Sequence, residues 1–122
     1  MFNAHDPFST EILHPVAART VTGTGPSIDI KDYIGKGKVM LDCAAGTGTT
    51  PTLDVVIQHS VDNVTFVPVP GAVFVQVTTA ARQQQIGLDL DAAHRFVRIA
   101  FTVGGGTPSF TFSVQMVGWR QT

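Results

Sequence analysis

Hydrophobic and polar residues alternate along most of the chain after residue 27. A period of two puts successive side chains on opposite faces of a strand, so one set of each run faces a core. Clusters of Gly, Pro, Asn and Asp separate the runs, as they do where tight turns join strands. The pattern therefore predicts β-structure, and the core positions that it indicates in the clearest runs are Val55, Ile57, Val97, Ile99, Phe101, Phe112 and Val114.

The number and spacing of these runs indicate the fold class. About eight short strands with Gly- and Pro-rich turns are typical of an all-β sandwich or barrel. No amphipathic helical segment of ten residues is present, and the best candidate for a helical turn is the segment 78–85. We therefore predict an antiparallel β-sandwich of jelly-roll-like topology. The length of 122 residues fits one domain, and we expect the sandwich domain to occupy residues 26–122.

Residues 1–25 differ from the rest, because neither a period of 2 nor one of 3.6 persists across them. Prolines favour extended or turning backbone here. We expect an extended N-terminal arm, within which residues 17–22 have the β character of an edge strand. The segment 1–15 carries apolar side chains, which favour contact with a partner surface. The residues that we expect to anchor it on a neighbouring subunit or on another protein are Phe2, Phe8, Ile12 and Leu13.

Charge narrows the range of partners. Charged residues make up 14% of the chain, against roughly 25% in an average soluble domain, and the net charge is −1. Nucleic acids and anionic membranes attract proteins with a positive surplus, so neither is expected as a partner. The N-terminus lacks the basic and apolar regions of a secretory signal. The scarcity of charge leaves surface suited to burial, so we expect a homo-oligomer.

Candidate chemistry is sparse. The single cysteine, Cys43, lies in phase with apolar neighbours and is expected to be a buried thiol. The four histidines do not occur at metal-ligand spacing. Asp89 and Asp91 share one strand face without a cluster of histidines or serines beside them, and we expect them to be solvated. The sequence thus predicts no catalytic, metal or cofactor-binding residue, no cofactor, and no enzymatic activity.

Two stretches resemble small β-sandwich proteins on the heads of tailed bacteriophages. The segment 53–66 reads LDVVIQHSVDNVTF, a strand, a Ser-x-Asp turn and a short strand with an aromatic residue. The segment 94–99 reads HRFVRI, and the flanking loops at 46–51 and 104–108 fit the same pattern. The resemblance implies a decoration, or cement, protein. Such proteins bind the major capsid protein on the outer capsid surface of the virion, as dimers or trimers, and stabilise the shell.

The same stretches are also similar to discoidin-like carbohydrate-binding jelly rolls. Those domains carry a Ser-x-Asp-Gly turn, and here Asn63 stands where they have Gly. The chain also lacks their pair of cysteines, and its one tryptophan is Trp119. This resemblance implies the alternative function, a carbohydrate-binding β-sandwich module that could also reside on a virion. Exposed aromatic residues on a concave face would favour the carbohydrate-binding module, and a wide apolar contact with a neighbouring subunit would favour the capsid protein.

Overall fold

The structure is a computed structural model that describes residues 8–120. Strands dominate this part of the chain, and each strand pair is antiparallel. Within residues 8–120 there is no helix long and apolar enough to cross a membrane. The strands are β1 (Phe8–Arg19), β2 (Gly23–Thr24), β3 (Ile28–Asp29), β4 (Tyr33–Cys43), β5 (Thr47–Ser60), β6 (Val67–Val73), β7 (Arg82–Asp89) and β8 (Phe96–Arg120).

The long strand β8 takes part in two antiparallel sheets, which we call sheet I and sheet II. In sheet I the second half of β8 lies between β1 and β4, and β7 follows β4. In sheet II the first half of β8 lies between the short strands β2 and β3 on one side and β5 on the other, and β6 follows β5. Strand β8 passes from sheet II to sheet I between Ser109, which pairs with Thr47, and Phe110, which pairs with Arg19. Before this crossing lies Gly105, whose φ is 112°. A Cβ there would lie 2.7 Å from the carbonyl oxygen of Thr50, so only glycine fits.

A side chain joins the two sheets on their β6–β7 side. The amide of Gln84 donates to the carbonyl oxygen of Val75 at 2.9 Å and accepts from the N–H of Val75 at 2.7 Å. The Gln84 side chain thereby mimics a strand neighbour where the backbone ladder is interrupted. The result is a jelly-roll-like β-sandwich that is nearly closed into a barrel, as the alternation predicts.

The core confirms the predicted phase of the alternation. All seven predicted core residues are buried, and Val97, Ile57 and Ile99 are fully so. The helical turn predicted at 78–85 is wrong, because Arg82 begins β7. That strand pairs with β4 in eight consecutive positions without a register shift. This regular ladder overrides the weak local preference of the segment for a helical turn.

The N-terminal segment is part of the sandwich and not a free arm over residues 8–15. Strand β1 pairs with β8 along its length, so the described residues before position 26 belong to the sandwich. Of the edge strand predicted at 17–22, only residues 17–19 lie in a strand. The pairing shifts register between Ile12 and His14 and again before Ala17, which are β-bulges. Extra residues at bulges break the period of two, which is why the sequence did not indicate a strand.

His14 is fully buried beneath this bulged region. Its Nδ1 lies 3.2 Å from the carbonyl oxygen of Phe112, and its Nε2 accepts from Nε of Arg19 at 2.9 Å. A ring nitrogen that accepts from a guanidinium carries no proton, so the imidazole is neutral with its hydrogen on Nδ1. Burial foremost, and then the charge of Arg19, lowers the pKa of His14 below its ordinary value of 6.5.

This histidine makes stability depend on pH. Because the pKa of His14 is lower in the folded chain than in the unfolded chain, the unfolded chain binds more protons as the pH falls through about 6.5. Stability is therefore present above that pH and declines below it. We expect the free energy of unfolding, measured by urea denaturation between about pH 5 and 8, to fall on the acid side. His14→Phe should reduce this slope. An unchanged slope would exclude His14 as a contributor.

Candidate docking face

The outer face of sheet I carries exposed apolar side chains where β1 begins and β8 ends. Phe8 is 54% exposed, Ile12 45% and Trp119 43%. Trp119 lies between its two cross-strand neighbours, Phe8 of β1 and Ile34 of β4. The Phe8 and Trp119 ring centroids are 4.6 Å apart with an interplanar angle of 73°, an edge-to-face contact. We call this surface the aromatic face: Phe8, Ile12, Ile34, Met40, Val117 and Trp119.

Alternation along β8 accounts for the outward direction of Trp119. Phe112, Val114 and Met116 point into the core, so the odd-numbered positions of this half-strand point outward. Gly118, the inward neighbour, has no side chain because a Cβ there would come within 2.8 Å of the ring of Tyr33. The glycine lets the tyrosine pack directly beneath the exposed tryptophan.

Tyr33 also holds β1 in place. Its hydroxyl donates to a carboxylate oxygen of Glu11 at 2.9 Å, which links β4 to β1 across β8. The ring is buried, and burial raises the pKa of the hydroxyl, so the group remains a donor at neutral pH. The hydrogen bond fixes the part of β1 that carries Phe8 and Ile12, which makes the aromatic face a preorganised surface.

A polar trough continues the aromatic face across the sheet. Met40 of β4 pairs with Gln85 of β7 on one side and with Gln115 of β8 on the other. Two residues farther along β4, Asp42 pairs with Gln83 of β7. These side chains line a depression of about 500 Å³. Amides offer both donors and acceptors without net charge, so the trough suits a partner that presents polar groups.

A partner that covered the exposed parts of the two rings would gain binding free energy from their burial. An aromatic side chain buries roughly 150–250 Å² when covered, at about 25 cal/mol per Å². Phe8 and Trp119 are each about half exposed, so covering them yields about 2–3 kcal/mol per ring. An exposed apolar cluster of this kind, rimmed by polar groups, is characteristic of a protein–protein contact site.

The predicted anchors are distributed as follows. Phe8 and Ile12 lie on the aromatic face, and their role as anchors remains a prediction. Leu13 is fully buried in the core, because alternation along β1 directs it inward next to the outward Ile12, so its assignment as an anchor is wrong. Phe2 lies outside the described residues. Trp119 was missed, although the alternation that places Phe112 in the core also directs Trp119 outward.

Other candidate chemistry is accounted for by structure. Cys43 is buried as expected, and burial raises the pKa of its thiol to about 11, which disfavours the reactive thiolate. Asp89 forms an exposed ion pair with Lys36 at 2.8 Å. In the described part of the chain, no three His, Cys, Asp or Glu side chains are grouped so that they could hold a metal ion.

The described chain is a jelly-roll-like β-sandwich that exposes an apolar cluster, the aromatic face, on the outer side of sheet I. No protein-family model matches the chain. A search of curated proteins also finds no match.

Solved structures with the same fold come from several kinds of protein. PBSX exported protein XepA has a TM-score of 0.60 and 20% identity over 93% of this chain and 38% of its own. VP2 in the subviral particle of infectious bursal disease virus has a TM-score of 0.56 and 12% identity over 93% of this chain and 32% of its own. The CBM22-1 xylan-binding domain of Xyn10C from Paenibacillus barcinonensis has a TM-score of 0.52 and 13% identity, with 98% and 86% covered. The chain thus spans about a third of the length of the first two, and these likenesses define its fold.

Proposed function

We propose that the protein is a structural component of a bacteriophage virion that binds the outer capsid surface and stabilises the shell. The observation that carries the proposal is the aromatic face, a preorganised cluster around Trp119 that is left exposed on one sheet. The resemblance of residues 53–66 and 94–99 to phage head proteins supports the choice of partner. The likeness in fold to a domain of a viral capsid protein is compatible with it.

The aromatic face suits docking onto a separately folded protein. Trp and other large aromatic residues dominate the energetics of such interfaces, surrounded by polar groups that exclude water. Trp119 would be the central anchor, with Phe8 and Ile12 beside it and the amides of Gln85 and Gln115 at the rim. The matching surface on the major capsid protein would be an apolar depression edged by hydrogen-bonding groups.

Shell stabilisation follows from binding. A protein that binds the assembled shell and not the free subunits shifts the equilibrium toward assembly by RT ln(1 + [L]/Kd). Binding at a junction between subunits would add contacts that span the junction. The proposed function requires no catalytic step, so it needs no chemical role for the histidines or for Cys43.

The direct test uses the full chain and phage shells that lack decoration. The two are mixed and sedimented together, and the shells are then heated while release of their contents is followed. We expect saturable binding with a fixed number of copies per shell, and release at a higher temperature than for bare shells. Failure to sediment with shells at micromolar concentration would overturn the proposal.

Carbohydrate binding is a second candidate, favoured by one specific observation. Exposed Trp119 lies on the same face of sheet I as a trough lined by Gln83, Gln85 and Asp42, four to six residues away along β8. One ring of an oligosaccharide can stack on the indole while amides and carboxylates bind the hydroxyls of rings farther along the chain. A retarded band in affinity electrophoresis through a polysaccharide gel, together with no binding to shells, would favour this function over capsid binding.

A further inference from the structure

A second apolar surface follows the edge strand of the other sheet. Val61 is 68% exposed and Val64 is 79% exposed in the loop before β6, and further valines are exposed in β6 and directly after it. The segment 63–81, which contains most of this surface, has no Asp, Glu, Lys, Arg or His. We call this surface the valine edge: Val61, Val64, Val67, Val73 and Val75.

The loop that presents the first two valines is held rigidly. The hydroxyl of Ser60 donates to Oδ1 of Asp62 at 2.8 Å and accepts from the N–H of Asn63 at 2.9 Å. The same Oδ1 accepts from the N–H groups of Thr65 at 3.0 Å and Val64 at 2.9 Å. These backbone donors, that of Thr65 first, lower the pKa of Asp62 to about 2. The loop therefore stays fixed across the physiological pH range.

Two more features complete this rigidity. Asn63 adopts a φ of 62°, a left-handed conformation that Asn tolerates better than most residues. The guanidinium of Arg98 lies 3.9 Å from the ring centroid of Phe66, which fixes the end of the loop. Two exposed valines on an ordered loop lose little conformational entropy when a partner covers them.

A largely apolar recess of about 560 Å³ lies beside the valine edge. Its walls come mainly from the middle of β6, from β7 and from the loop after β7, and the apolar lining includes Val69, Pro70, Ala72, Leu88 and Ala93. The Lys36–Asp89 ion pair and His59 also line it. Val67 and Val73 flank the β6 part of the wall in sequence. The same edge of the molecule thus carries projecting apolar side chains and a depression that can receive them. A surface that is complementary to itself is the requirement for a twofold contact between identical chains.

We propose that two copies of the chain associate through this edge, with the valines of each copy filling the recess of the other about a twofold axis. The proposal rests on the proposed function, because it names the surface by which the capsid-binding protein pairs and leaves the aromatic face free for the shell. Pro68 and Pro70 have no N–H to continue a ladder, so the contact is made by side chains and not by sheet extension.

The chemistry of the two surfaces assigns them to different partners. Permanent contacts between identical subunits are more apolar and poorer in charge than contacts between independently folded proteins. The valine edge has this composition. The aromatic face combines a Trp anchor with polar groups and Lys38 and Asp42, which is the composition of a contact between separately folded partners.

The test is the oligomeric state of the full chain by sedimentation velocity at micromolar concentration. We expect a dimer. The double variant Val64→Asp, Val73→Asp should raise the dimer dissociation constant by at least about a hundredfold, since each buried, unpaired carboxylate disfavours association strongly. The matched control is Val21→Asp, because Val21 is 71% exposed and lies between β1 and β2, away from the valine edge. That control should remain dimeric.

A third variant tests the recess without touching the valines. A Cβ at Gly87 would meet no atom within 4 Å, so Gly87→Leu should fold and place a bulky side chain at the rim of the recess that residue 87 helps to line. We expect it to weaken the dimer as well. Circular dichroism would verify that each variant is folded. A monomeric or trimeric wild type, or a dimer that survives the double Asp substitution, would overturn the proposal.

Binding to shells separates this proposal from the proposed function. A folded monomeric variant should still bind shells, more weakly than the wild type because one contact replaces two. A wild-type dimer that dissociates on substitution of the valine edge but never binds shells would refute capsid binding and uphold the dimer. A monomeric wild type that binds shells would refute the dimer and uphold capsid binding.

Discussion

Trp119→Ala should weaken binding to phage shells by about 30- to 1,000-fold. The indole is the largest exposed apolar group of the aromatic face, and it lies between Phe8 and Ile34 at the centre of the surface. Truncation of a central Trp at an interface costs roughly 2–4 kcal/mol, and each 1.4 kcal/mol is about a tenfold change in the dissociation constant. Sedimentation of the variant with shells over a range of concentrations measures the loss.

Two controls show whether the loss reflects the contact. Trp119→Phe keeps an aromatic ring and should retain much of the affinity. Val21→Ala, at an exposed site outside both apolar surfaces, should bind like the wild type. The folded chain should lose about 2–3 kcal/mol of stability in Trp119→Ala, because the half of the side chain that is already covered, in part by Phe8, is removed; circular dichroism would verify that the variant is folded. Undiminished binding of Trp119→Ala would exclude the aromatic face as the docking surface.

Phe112→Ala should cost about 3–5 kcal/mol of the free energy of unfolding, the usual range for a buried Phe. Phe112 is 1% exposed. Its ring stacks on His14 with centroids 4.2 Å apart and meets the edge of Phe101 at 5.4 Å. The truncation leaves a cavity at the point where β1, β8 and both sheets meet. Since a domain of this size has roughly 5–15 kcal/mol in total, much of its stability should be lost.

A matched truncation tests the phase of the alternation. Phe96 is only partly buried, and the guanidinium of Arg95 lies 5.0 Å from its ring centroid on the outside of sheet II. Phe96→Ala should therefore cost about 1–2 kcal/mol, since less apolar surface is removed from cover. Urea denaturation of the two variants gives both values. Equal costs would contradict the assignment of Phe112 to the core and of Phe96 to the outer face of β8.

The candidate site was predictable in part. Phe8 and Ile12 were identified as anchors because they are apolar residues in a segment without a period, and both lie on the aromatic face. Leu13 was grouped with them for the same reason and is buried instead. Alternation along β1 separates the outward Ile12 from the inward Leu13. The bulges that follow break the period of two, so the sequence did not indicate the strand from which this alternation could be deduced.

What the sequence determined by itself is the class of fold and the inner face of each regular strand. Alternation is a local property, since neighbouring side chains on a strand must point to opposite sides whatever lies beyond them. Alternation predicted that Val97, Ile99 and Phe112 lie in the core. Applied to the end of β8, it also predicts that Trp119 points outward.

Only the tertiary structure decided which residues from distant parts of the chain act together. Glu11 meets Tyr33 across β8, Gln84 closes the gap to Val75, and the recess beside the valine edge is built from β6 and β7. These contacts join residues that pattern and propensity treat independently. They arise because strands far apart in sequence must pair and the sheets must pack to bury one common core, and that requirement acts on the whole chain at once.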